Sequence, residues 1–194
     1  LLHSYFLTKN GRTVLAQFAP QKWGGILTST IFVAITSLHL AIIFLLWSPT
    51  HIRFYEPSPA LIGPWTLVYA AAWLLLGKAM YDSGFSLQIG SLGWLALFKG
   101  VKPNYPTFGQ EGLYRFCRQP VYLSFTLILW LAPTWTLDHL MLAIIWTAYC
   151  YIGPKYKEAR FLSIYGEAFA KYQNAVPYWL PSLKPLYSKP KQSS

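Results

Sequence analysis

The 194 residues are 54% hydrophobic and only 11% charged, less than half the charged fraction of an ordinary soluble domain, which is roughly 25%. That balance excludes a water-solvated globular domain and predicts an all-α, multi-pass membrane helical bundle built as a single membrane-embedded domain. The net charge of +10 raises nucleic acid as a partner, but the basic residues are scattered through loops and tail with no base-reading motif, so membrane lipids and no nucleic acid are expected.

In chain order, residues 1–23 open with LLHSYFLTKNGR, which has the look of an apolar segment ending in a basic cytoplasmic loop. Part of the N-terminus is expected to be missing or processed, and no signal-peptide pattern with a cleavage site is visible. Residues 24–113 hold the N-terminal spans and their connector. GGILTSTIFVAITSLHLAIIFLLW, residues 24–47, carries no formal charge and is long enough to cross a hydrocarbon core. His39 within it is either a functional candidate or a satisfied packing residue. A Pro-rich connector, WSPTHIRFYEPSPA, leads to the second span over residues 61–80, with Lys78 snorkelling at its end and Asp82 closing it. Residues 83–112 are punctuated by Ser and Gly around a short apolar piece at 92–98, which predicts an interfacial or re-entrant helix and a loop.

VYLSFTLILWLAP and LDHLMLAIIWTAYCYIG follow as two short apolar runs separated at Pro133–Thr136, a pattern that predicts a helical hairpin whose second helix continues past Pro154. Asp138 and His139 are expected to cap that helix. Lys9, Arg12 and Lys22 precede the first span, Lys99, Lys102, Arg115 and Arg118 lie between the second and third, and seven more basic residues follow the fourth. Only Arg53 lies in the opposite loops, so four spans with both visible termini cytoplasmic satisfy the positive-inside rule. Residues 155–174 place Phe161, Leu162, Tyr165, Ala168, Phe169 and Tyr172 on one face, predicting an amphipathic C-terminal cytoplasmic helix. Glu158 falls on that apolar face, where a carboxylate needs a partner or a proton. Residues 182–194 are a Pro/Ser/Lys-rich tail. Cys117 and Cys150 lack metal-ligand spacing and are expected to pack, so no metal site is expected.

Arg115, Arg118, Tyr122 and Glu158 converge at the cytoplasmic ends of two neighbouring helices. Two readings stand side by side: flanking arginines on lipid phosphates with Glu158 in a structural ion pair, or a site for a ligand carrying both signs, with arginine for a carboxylate and Glu158 for a cation. A helix started by Pro120 just after the arginines adds free N–H groups to the second reading.

YRFCRQPVYL at 114–123, a hairpin, then EARFLSIYGEAFAKYQNAVP at 158–177 resemble the integral-membrane methyltransferases related to isoprenylcysteine carboxyl methyltransferase. Their pattern is Arg-His-Pro-x-Tyr, a hairpin, a Glu-Glu pair and a Gly-Glu-x-Tyr-x-x-Tyr-x-x-x-Val-Pro close. GLYR at 112–115, LAPTWTLDHL at 131–140 and His3-Ser4 bring the likeness nearest to the bacterial methanethiol S-methyltransferases. The resemblance implies S-adenosylmethionine as cofactor, a small or lipophilic thiol as substrate, and the bacterial cytoplasmic membrane as location. It makes residues 114–181 the cofactor-binding half, with Tyr114, Arg115, Arg118, Gln119, Pro120, Tyr122, Glu158 and Tyr172 at the cofactor and Arg118 and Glu158 catalytic. Methyl transfer is an in-line displacement in which the protein chiefly positions the reactants, and the thiolate needs stabilising by Arg118 or a tyrosine hydroxyl. The family His is Gln119 here, the first acid of the pair is Lys157, and the first tyrosine of the close is Phe169. These departures leave a second function open: a catalytically silent relative serving as a structural or accessory subunit beside other membrane subunits.

Overall fold

The computed structural model describes residues 5–6 and 8–187, so His3, Ser4 and most of the Lys-rich tail lie outside it. The chain is mostly helical, and its described residues fall into two compact units.

The first unit takes residues 1–48 and 84–107. Its helices are α1 (Lys9–Ala16), α2 (Gly24–Leu45), α4 (Phe85–Gln88) and α5 (Ser91–Phe98). The stretch expected to be a basic loop thus carries α1, begun by Thr8, whose hydroxyl accepts from Gly11 N–H at 3.1 Å. The apolar piece at 92–98 is helical as expected, and Thr30 Oγ1 donates to Gly90 O at 2.6 Å just before it. His39 is exposed on α2.

The second unit takes residues 49–83 and 108–194. Its elements are strand β1 (Arg53–Tyr55), α3 (Pro59–Asp82), a 3-10 turn at Gly112–Arg115, α6 (Pro120–Trp130), β2 (Trp135–Thr136), α7 (Leu137–Tyr165) and α8 (Glu167–Ala175). Both α2 and α3 have the length and apolarity to cross a membrane, yet at most 6% of their most apolar stretch is buried inside the protein. Helices apolar all round and left largely uncovered by the fold are suited to lipid as their solvent.

Within this unit α3 packs on α6 through Ala72, Leu76 and Ile128, flanked by Tyr69, Val121 and Phe125. The small residues Ala72 and Ala79 let the backbones approach, the usual device where no water drives association. Trp65 Nε1 donates to Leu131 O at 2.8 Å, fixing the end of α6 against α3. At that same end β1 pairs antiparallel with β2, placing Arg53 opposite Thr136 and Tyr55 opposite Trp135. The Pro-rich connector thus contributes its Ile52–Tyr55 stretch to a pairing with the hairpin turn.

Two further expectations are corrected. The cap of α7 is Thr136, whose hydroxyl accepts from His139 N–H at 3.3 Å, while Asp138 Oδ1 accepts from Thr50 Oγ1 at 2.7 Å and His139 Nε2 lies 2.8 Å from Leu129 O. And residues 155–174 are not one helix: α7 runs on through Pro154 to Tyr165, then Gly166, at φ 52°, turns the chain into α8. The positive φ is a conformation that glycine adopts without a Cβ penalty. The bend folds Phe169 and Tyr172 onto Phe108, rather than leaving them as a continuation of the α7 face.

Candidate functional site

The site is built where the far end of α3, the 3-10 turn, the start of α6, the polar end of α7 and α8 meet within the second unit. Asp82, expected to be a simple span-end residue, is its first anchor. Its carboxylate pairs with Lys78 and accepts from Leu113 N–H at 2.9 Å. Gly112, at φ 56°, packs against that carboxylate so closely that a Cβ would strike it. The turn therefore requires glycine on two counts, and it delivers Tyr114 and Arg115 to fixed positions.

Pro120 starts α6, with Gln119 as the preceding half-turn residue. This places Arg118 and Gln119 against Glu158, which is only 5% exposed. Arg118 grips the carboxylate with both prongs, Nε to Oε1 at 2.9 Å and Nη2 to Oε2 at 3.2 Å. Gln119 Nε2 donates to Oε1 at 2.6 Å and Gln173 Nε2 to Oε2 at 2.9 Å. The buried charge is thus compensated by a bidentate cation and two neutral donors, the arrangement a buried ion pair needs. Arg118 Nη1 also donates at 2.6 Å to both Gln173 O and Val176 O, tying the end of α8 to the same cluster, and its guanidinium lies 5.4 Å from the Tyr178 ring centre.

Beyond α8 the chain runs back along the turn. Arg118 N–H donates to Pro177 O, Ser182 N–H to Phe116 O and Leu186 N–H to Arg115 O, each at 2.9 Å. Arg115 Nε closes this strap by donating to Tyr187 O at 2.8 Å. Tyr172 Oη donates to Tyr114 O at 2.8 Å. Burial pushes the phenols of Tyr114 and Tyr172 well above the ordinary tyrosine range.

Of the eight residues singled out in the sequence, Arg118, Gln119 and Glu158 form one bonded cluster, and Tyr114 and Tyr172 form a second contact at its edge. Pro120 sets the helix start. Tyr122 presents its ring to the Lys157 ammonium at 5.1 Å. Arg115 is not in the cluster: it holds the strap. The sequence reading missed Gln173 and Tyr178, and it took Lys157 only as a departure. Lys157 Nζ donates to Gln119 Oε1 at 2.8 Å, so Gln119 bridges Lys157 and Glu158 with its two amide atoms. Burial, opposed by neighbouring Glu158 and reinforced by Arg160, pulls the Lys157 amine down to about 8.

Two hollows flank the Arg118–Glu158 pair. One, about 20 Å³, is lined by aromatic rings including Phe108, Phe161 and Phe169 together with Gln119, Lys157 and Glu158. The other is an open groove of about 390 Å³ lined by Arg118, Lys155, Glu158, Leu162, Gln173 and Tyr178. The first holds a group of one or two heavy atoms; the second falls in the range of small-molecule sites, about 300–1,000 Å³. Cys117 and Cys150 are free and buried, as packing residues would be, and no His/Cys/Asp/Glu cluster suited to a metal occurs among the described residues.

The chain is similar to methanethiol S-methyltransferase of a Pseudomonas sp., at 30% identity over 185 residues, which are 92% of this chain and 68% of the relative. The chain belongs to the methanethiol S-methyltransferase family. It thereby joins the isoprenylcysteine carboxyl methyltransferase-like superfamily that its motifs resemble. The enzyme of that name from Pseudomonas deceptionensis is 31% identical over 155 residues, 79% of this chain. The chain spans 59% of that relative's length. Nurim of Xenopus laevis is also similar, 28% identical over 135 residues, 64% of this chain. No protein-family model and no solved structure matches the chain.

Proposed function

We propose that the protein is an integral-membrane methyltransferase that moves a methyl group from S-adenosylmethionine to a small or lipophilic thiol. The observation that carries this is Glu158, a buried carboxylate held by Arg118, Gln119 and Gln173 at the wall of a 390 Å³ groove, in a chain whose relatives are named methanethiol S-methyltransferases.

The groove's chemistry suits the donor. Arg118 and Lys155 offer cations to a carboxylate, Glu158 offers a carboxylate to an ammonium or sulfonium, and Tyr178 offers an aromatic face. Bound there, S-adenosylmethionine supplies an electrophilic methyl group. The protein's own part is to hold the groups of the site still, to narrow the space beside Glu158 to a small acceptor, and to keep water out with the aromatic wall. The site residues Tyr114, Arg118, Gln119, Pro120, Tyr122, Glu158 and Tyr172 are assigned to this chemistry, and Arg115 to holding the strap.

The membrane topology belongs to the same reading. Four spans, α2, α3, α6 and the apolar first part of α7, put both termini and the basic segments on the cytoplasmic side of a bacterial inner membrane. Within the second unit, β1 and β2 sit together at one end of α3, α6 and α7, while Asp82 and the 3-10 turn sit together at the other. Helices arranged this way alternate in direction, which supports spans three and four. Residues 114–181 form the cofactor half, with α8 cytoplasmic.

A second reading has its own support: Glu158 already accepts from three side chains, and Arg118 donates to Glu158 and two carbonyls, so the cluster is complete as a structural lock. A silent relative working as an accessory subunit needs no more. Calorimetric titration of S-adenosylmethionine into the detergent-purified protein, with S-adenosylhomocysteine as competitor, separates the two. The enzyme reading expects saturable binding that Glu158→Gln removes while the variant stays folded. No binding to folded wild-type protein overturns it in favour of the accessory subunit.

A further inference from the structure

Each titratable group around the small cavity except one is already committed. The Glu158 carboxylate accepts from Arg118, Gln119 and Gln173. Arg118 is spent on that carboxylate and on Gln173 O and Val176 O. Tyr172 Oη is given to Tyr114 O, and burial holds both phenols protonated far above neutrality. Lys157 differs. Among the described residues its Nζ has one hydrogen-bond partner, the neutral amide oxygen of Gln119 at 2.8 Å, and it also faces the rings of Tyr122 at 5.1 Å and Phe161 at 5.9 Å. A lysine nitrogen has room for three donors, and Lys157 lines the small cavity.

We infer that Lys157 is the group that takes the proton from the acceptor thiol and then faces the resulting thiolate. The inference rests on the methyltransferase reading and names the residue that prepares the nucleophile. The step balances simply. The acceptor's S–H bond breaks with its electron pair staying on sulfur, and the proton forms an N–H bond on the neutral Nζ. The thiolate sulfur then forms a bond to the donor's methyl carbon as the donor's own S–C bond breaks, the electron pair staying on the donor sulfur, which leaves as a neutral thioether, and the ammonium returns its proton to solvent.

The surroundings fit this task. An amine near 8 nearly balances a thiol as acidic as free cysteine, about 8.5; a simple alkanethiol is a weaker acid, and the attraction between the new ammonium and the thiolate beside it offsets the difference. The facing groups are Glu158 and Arg160 on α7 itself, Arg118 and Gln119 before α6, Tyr122 on α6, Tyr114 on the turn, Tyr172 on α8 and Tyr178 beyond it. The Lys157 amine, drawn down to about 8, changes charge near neutrality. Gln119 keeps its orientation in both protonation states, because its Nε2 is fixed on Glu158 and its Oε1 is left to accept from Nζ. A glutamine at this position therefore serves a lysine within the first turn after Pro154 on α7, which accounts for Gln119 and Lys157 departing from the family pattern together.

The test uses methanethiol as probe, with donor-free protein in lipid nanodiscs, read by ultraviolet thiolate absorbance across pH. Wild-type protein is expected to develop bound thiolate at least one pH unit below free methanethiol. Lys157→Met is expected to lose that signal, and its methyl-transfer rate at pH 7 to fall by about a hundred- to ten-thousandfold. Lys157→Arg, which keeps charge and length but accepts no proton, is expected to lose the rate's rise through about pH 8. Unchanged thiolate formation in both variants overturns the inference, as does its absence from wild type. Thiolate formed by wild type without any transfer of a labelled methyl group would instead count against the methyltransferase reading and leave Lys157 its role.

Discussion

Replacing Glu158 by glutamine keeps the shape of the side chain and removes only its charge, which makes the consequence calculable. Arg118 then stays buried with no counter-ion, and breaking a buried pair from one side costs about 3–5 kcal/mol. The amide also turns a donor towards Arg118 or Gln173, where the carboxylate accepted from both. The damage extends to α8 and the strap, because the same guanidinium bonds Gln173 O and Val176 O. Removing the partner as well relieves the uncompensated charge: Arg118→Met with Glu158→Leu leaves orphaned amides and carbonyls, at about 1–3 kcal/mol each if buried, but no lone charge. The double variant is therefore expected to be less destabilised than the sum of the singles by at least about 2 kcal/mol. Denaturant titration in mixed micelles of wild type, Arg118→Met, Glu158→Leu, the double variant and Glu158→Gln gives the stabilities needed, and limited proteolysis within residues 177–187 reports the strap. Additive costs, or a Glu158→Gln cost below about 1 kcal/mol, would refute the view that one buried pair holds these elements together.

Further outcomes follow from single contacts. Lys157→Met is expected to stabilise the protein at pH 7 even as it disables the site, by up to about 3 kcal/mol, since a buried ammonium with a neutral partner is costly. The sign in wild type is fixed by the amine sitting near 8 in the fold against 10.5 when unfolded: between these values the unfolded chain holds more protons, so stability rises with pH across that window. A flat profile there, or one erased by no Lys157 variant, contradicts the burial of this amine. Gly112→Ala is expected to displace the Asp82 carboxylate and free Leu113 N–H, lowering the melting temperature more than Gly25→Ala, where a Cβ meets nothing. Tyr172→Phe removes one buried bond to Tyr114 O and is expected to cost about 1 kcal/mol.

The pattern of what could be read in the chain is physical. The two long apolar runs gave α2 and α3 to within a few residues, because lipid solvation demands about 20 apolar residues in a row whatever else the fold does. Arg118 and Glu158 stood out for being charged in a chain that carries so few charges. The break at Gly166 was hidden: the 3.6-residue period runs unbroken through it, and only the backbone's positive φ turns Phe169 and Tyr172 inwards. Strand β1 was hidden by its brevity and by flanking prolines, its pairing being long-range. Gln173 and Tyr178 gave no local signal, since each acts on a partner supplied by another element, and Lys157 looked like a lost acid until its bond to Gln119 was seen.

The most direct test of the account is transfer of a labelled methyl group from S-adenosylmethionine to methanethiol by the full-length protein in nanodiscs. The account predicts thiol-dependent formation of labelled dimethyl sulfide, abolished by Glu158→Gln. Folded protein that forms none, with methanethiol or with larger thiols, would contradict it.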